Sequence, residues 1–163
     1  MDVCFDSAEE KLVPLVGRFI IDFVAIEDSI NLILNNSHSR LTESHRNNLK
    51  WFDDRVNAFH YVLPSYMSSK EEIESLNSVI SKVKDMYLIR NLLAHNSVGL
   101  AVVRDESGNF KEAGFEISGK RKDIVENLDS LRDKVDELRK LRVQFVKLTE
   151  CYYMYEVKLM SNA

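Results

Sequence analysis

Apolar residues recur at helical spacing along most of the chain. Val13, Val16, Ile20, Phe23, Ile30 and Leu34 share one stripe and predict a long helix over 8–36. The polar segment "NNSHSRLTES" follows as a loop, with Thr42 or Ser44 as helix caps. Residues 43–63 predict a second helix with Leu49, Phe52, Val56, Phe59 and Leu63 on one face, ended by Pro64. Ser69 and Glu72 make the capping-box spacing for a third helix, whose stripe of Ile73, Leu76, Ile80, Val83 and Met86 runs to about residue 95. The period then changes. "VGLAVVRDESGNFKEAGFEI" sets β-branched and aromatic residues around a Gly-Asn turn and predicts a β-hairpin over about 97–117. A last long helix is predicted from about 122 to 160, with Leu128, Leu131, Val135, Leu138, Phe145, Leu148, Tyr152 and Tyr155 on its apolar face. The plan is all-α: an antiparallel four-to-five-helix bundle in one domain, 1–163, with a β-hairpin inserted between the third and last long helices.

Composition supports that plan. Five Gly and two Pro in 163 residues favour long elements over a many-turned β fold. A net charge of −4 argues against coating nucleic acid along the whole surface, so any RNA contact has to be local. Cys4 and Cys151 lack metal-ligand spacing and read as reduced thiols. The start "MDVCFDSAEE" has no basic region of a signal peptide. No apolar run approaches the roughly 20 residues of a membrane span. A cytoplasmic protein with no membrane partner is the expectation.

Two charges break the stripes. Leu76, Val83 and Arg90 are spaced by seven, which returns to within about 20° on a helix. Ile20, Phe23, Ile30 and Leu34 bracket Glu27 in the same way. An ionised group turned inward needs a partner or a wet cleft. Arg90 and Glu27 are therefore read either as a buried structural pair or as the lining of a cleft. His95 lies four residues after Asn91, so those two share a face. A guanidinium, an amide and an imidazole on adjoining surfaces suit an anion whose charge changes during reaction.

The run Arg90-Asn91-Leu92-Leu93-Ala94-His95 resembles the motif of HEPN domains, an arginine followed by four to six residues and a histidine. That resemblance implies a small helical bundle and a metal-independent endoribonuclease of toxin–antitoxin or phage-defence type. It also implies a homodimer that brings two motifs to one cleft, an RNA substrate, an antitoxin protein as a further partner, and no cofactor or metal. His95 is then the general acid or base, Arg90 stabilises the developing phosphorane charge, and Asn91 orients the phosphate or the imidazole. Glu27 resembles the acid such domains carry on another helix and would hold Arg90. Attack by the 2′-hydroxyl leaves 2′,3′-cyclic phosphate and 5′-hydroxyl ends. Arg40–His45 and Arg55–His60 repeat the spacing. Arg40 is followed by Leu41 in a polar loop and Arg55 by Val56, whereas Arg90 alone interrupts a core stripe and precedes a polar residue.

The remaining signals are weaker. Lys120, Arg121 and Lys122 form a basic cluster that reads as a solvated helix start or as a contact for RNA phosphates. His60 reads as a half-buried packing residue, and His38 and His45 lack the companions of a metal site. The aromatic run "CYYMYE" from Cys151 reads as core or as a dimer or antitoxin seam. The alternative to the nuclease is a non-catalytic HEPN-like helical interaction module that keeps the Arg–Glu pair for structure.

Overall fold

A computed structural model describes residues 2–67, 69–118 and 124–161. It is mostly helical, with α1 (Asp2–Asn36), α2 (Glu43–Asn47), α3 (Phe52–Val62), α4 (Lys70–His95) and α5 (Leu128–Ser161). Strands β1 (Ser97–Arg104), β2 (Phe110–Ser118) and β3 (Ile124–Asn127) stand between α4 and α5. This is the expected helical plan with an inserted hairpin. The chain clusters into two compact units: Met1–Phe23 with Met86–Arg139, and Val24–Asp85 with Lys140–Ala163.

The first unit holds the sheet. β1 and β2 pair antiparallel from Ser97 opposite Ser118, with a register shift between Val103 and Arg104. The turn is fixed by the Asp105 carboxylate, which accepts from the amides of Ser107 and Asn109, both at 2.9 Å. Gly108 sits at φ 81°, a conformation that costs a residue with a Cβ roughly 1–2 kcal/mol. Phe115 and Ile117 point into the core, each 2% exposed. Leu12, Phe19, Leu131 and Leu138 are buried in the same unit. The sheet exceeds the expected hairpin by one strand: β3 pairs with β2 from Ile124 opposite Ile117 to Asn127 opposite Gly114. The last helix consequently begins at Leu128 rather than near 122, where the Asn127 side chain accepts from the Ser130 amide at 2.7 Å.

The second unit is built around Phe52, Phe59 and Phe145, each 1% exposed or less. Phe59 and Phe145 bring their ring centroids to 5.8 Å. Burying each ring contributes roughly 1.5–3 kcal/mol. Ser37 ends α1: its hydroxyl donates to the Ile33 carbonyl at 2.6 Å and shares a hydrogen bond with the Tyr66 hydroxyl. The helix expected over 43–63 is two helices, because the backbone leaves helical geometry over 48–51. Thr42 caps α2 by accepting from the His45 amide, and a separate start at Trp51 opens α3 with Asp53 and Asp54 in its first turn. Leu49 is only half-buried as a result. Ser69 caps α4 as expected, accepting from the Glu72 amide at 3.3 Å.

The apolar stripe of α1 also differs from expectation. Leu12, Phe19, Ile26 and Ile33, spaced by seven, are each 4% exposed or less, whereas Val13 is 65% exposed. Phe23, Ile30 and Leu34 of the expected stripe are buried as well, so the inward face of α1 is wider than that stripe and leaves out Val13.

Candidate functional site

Met86, Arg90 and Leu93 follow one another on the inward stripe of α4. Met86 and Leu93 are buried, and Arg90 lies half-buried between them. A lone guanidinium there would be costly, and two contacts within the first unit offset the cost. Its carbon stands 5.9 Å from the centroid of the Phe23 ring, a cation–π distance. Phe23 is fully buried and also meets the Tyr87 ring at 6.1 Å. Nη1 of Arg90 donates to Oδ1 of Asn91 at 3.0 Å. The long side chain therefore leaves the stripe and reaches the neighbouring face, as the sequence suggested.

That face is the one that carries His95. Leu88, Asn91, Leu92 and His95 fall within an arc of about 100° on an ideal helix, with Leu88 and His95 about 20° apart. His95 is exposed, and it is the last residue of α4. Asn96 closes the helix, its amide and its Nδ2 both donating to the Leu92 carbonyl. With its oxygen taken by Arg90, Asn91 keeps its NH₂ to donate to an incoming acceptor. Leu88, 66% exposed, puts an apolar side chain in water on the same face. Leu88 falls outside the inward stripe, so periodicity does not single it out.

Glu27 lies in the second unit and forms an ion pair with Arg55. Both side chains are largely buried, 13% and 17% exposed. Arg55 also donates to the Lys50 carbonyl at 3.4 Å. The acid expected to hold Arg90 is thus itself held by the arginine of another Arg-x4-His run, in the first turn of α3. The signal was present in that repeated spacing, but Arg55 was set aside because an apolar residue follows it. His60 is half-buried, and its pKa is lowered by desolvation and by the nearby Lys84 charge. Arg40 is exposed and lies 4.5 Å over the Tyr66 ring, while His45 is tied to the Thr42 hydroxyl at 2.9 Å. Of the three runs, the one at Arg90 pairs a half-buried guanidinium with an exposed imidazole at a helix end.

Other expected residues fall elsewhere. Lys120, Arg121 and Lys122 lie outside the described residues. Of the aromatic run, Tyr152 is buried, with its ring edge-on to Tyr66 at 4.8 Å. The side chains of Cys151 and of residues 153–156 lie outside the described set. Asp22, 1% exposed beside Phe23, is a buried carboxylate that the periodicity argument missed. Among the described residues, no group of three or more His, Cys, Asp or Glu is placed to hold a metal ion. None of the described helices is long and apolar enough to cross a membrane.

No protein-family model matches the chain, and comparison with curated proteins and with solved structures returns no match. The fold defines a helical protein with an inserted sheet, and any reading of activity has to come from the site's own chemistry.

Proposed function

We propose that the chain is a metal-independent endoribonuclease of toxin or phage-defence type whose reacting groups stand at the C-terminal end of α4. The observation that carries this is the Arg90–Asn91 hydrogen bond beside an exposed His95. Asn91 and His95 share a face of α4, and Arg90 reaches that face through its bond to Asn91. In the reaction, the 2′-hydroxyl attacks its neighbouring phosphorus. One imidazole removes the proton, Arg90 stabilises the developing charge, and an acid protonates the leaving 5′-oxygen. General acid–base help of this kind is worth roughly 10²–10⁴-fold. One imidazole cannot serve as acid and base at once, so a second copy of the chain supplies the other. Leu88, exposed on the face of His95, gives that second copy an apolar contact.

The test is cleavage of labelled single-stranded RNA by wild type and by His95→Ala, with EDTA present. Wild type should leave 2′,3′-cyclic phosphate and 5′-hydroxyl ends, and the variant should be slower by at least about 100-fold. Equal rates, or products with 3′-hydroxyl ends, would refute it. The engagement of Glu27 by Arg55 favours a second reading, a non-catalytic helical module in which inward charges fix register. That reading expects His95→Ala to be silent in every assay.

A further inference from the structure

We propose that the segment from α2 into α3 is a binding surface for single-stranded RNA, on which Trp51 stacks a base. The choice of RNA as the polymer rests on the nuclease reading. The surface itself stands on separate observations, all within the second unit.

Trp51 is the chain's one tryptophan, and it is 62% exposed. A large ring left in water forgoes the burial that normally retains it. It is also the N-cap of α3, with extended backbone and no side-chain cap hydrogen bond. Ser, Thr, Asp or Asn would satisfy an amide there. Neither burial nor capping accounts for a tryptophan at this position, and positions that break two local rules at once are where function is expected.

The flanking sequence supplies charge, and α2 and α3 carry further rings. The Lys50 ammonium lies 5.0 Å over the Trp51 ring, and Arg46 is exposed at the end of α2. Tyr61 is 50% exposed, with the His45 ring 4.6 Å away. Between residues 40 and 52, Arg40, Arg46 and Lys50 stand against the single acid Glu43, a local balance of +2 in a chain of net −4. Asp53 and Asp54 follow in the first turn of α3, where Asp53 is engaged by Lys84 at 2.9 Å, so the positive balance is confined to the segment before the helix. The loop is held in shape by Arg55 on the Lys50 carbonyl and by Asn48 on the Ser44 carbonyl. An exposed ring beside an ammonium, with further cations in the same segment, is an arrangement that binds unpaired bases and their phosphates. Duplex RNA keeps its base faces stacked inside and cannot use it.

The experiment uses the full chain carrying His95→Ala, so that the probe stays intact, and a ten-nucleotide oligouridylate. Trp51 emission should be quenched to saturation. The log–log salt dependence should have a slope of about −1.4 to −2.1, as expected for two or three phosphate contacts. Trp51→Ser removes the ring and supplies a cap. Anisotropy of the labelled oligomer should show binding weakened roughly 5- to 150-fold, the range for one lost base stack. The melting temperature should hold or rise by about 2–4 °C. Trp51→Phe should keep most of the binding. The proposal is overturned if Trp51 emission does not move, if Trp51→Ser binds as well as its parent, or if duplex RNA or polyglutamate binds equally well. Cleavage is scored separately. A protein that binds through Trp51 but never cuts leaves this surface standing and removes the nuclease reading; one that cuts but is indifferent to Trp51→Ser does the reverse.

Discussion

Arg90→Met separates a catalytic from a structural guanidinium by magnitude. Methionine keeps an unbranched apolar stem and loses the charge. The contact with Phe23 is at 5.9 Å, near the outer limit for a cation–π interaction, and counts for about 0.5–1 kcal/mol. The bond to Asn91 adds about 0.5–1.5 kcal/mol. From these two contacts the variant should lose about 1–2.5 kcal/mol of stability and melt about 2–10 °C lower. A domain starting at or above about 5 kcal/mol keeps more than roughly 98% of its molecules folded after that loss. Instability alone would leave the cleavage rate almost untouched. Removing a group aimed at transition-state charge should instead cost about 10²–10³-fold. The assay is single-turnover cleavage of labelled RNA beside a circular dichroism melt in the same buffer. A folded Arg90→Met that cuts within about fivefold of wild type would refute the role given to Arg90, since that loss is far below the 10²-fold expected.

Other outcomes follow from the geometry. Arg55→Met should destabilise the chain by about 2–4 kcal/mol in urea unfolding, because Glu27 is then left 13% exposed without that partner, and a pair more fully sealed would cost more. Phe145→Ala should cost about 3–5 kcal/mol by the same measurement, since the ring is fully buried and leaves a cavity against Phe59. His60 gives a signed pH effect: its folded pKa is lowered below 6.5, by desolvation first and then by Lys84. Below that value the unfolded chain takes up a proton that the folded chain resists. Its contribution to stability is therefore full above pH 6.5 and lost as pH falls through the folded pKa. Urea midpoints of wild type minus His60→Gln should show a difference that shrinks from pH 7.5 to pH 5, and a constant difference would refute the assignment.

Long periodic helices with a cap were readable from sequence. Leu76, Ile80 and Val83 of α4 are fully buried, and Ser69 caps the helix as its spacing required. The break at 48–51 was hidden, because Leu49, Phe52, Val56 and Phe59 keep helical spacing across it and no Gly or Pro marks it. β3 was hidden for a different reason. Four residues carry no period of their own, and Ile124–Asn127 is a strand through its pairing with β2. In α1 the sequence offered two apolar stripes one residue apart, and only packing decides that Leu12 goes in and Val13 out. At the site, the outlying arginine was visible as a broken stripe. Its bond to Asn91 is a choice of rotamer within α4, and the engagement of Glu27 by Arg55 depends on α1 meeting α3; periodicity encodes neither.

A lone indole that stands in solvent before denaturation has little spectral shift left to give afterwards. Urea titrations read by its colour would look flat while the helices melt, and a flat trace would report where the ring sits rather than a chain that never folded. Far-ultraviolet dichroism, or tyrosine signals that include the buried Tyr152, are the probes that see this molecule come apart.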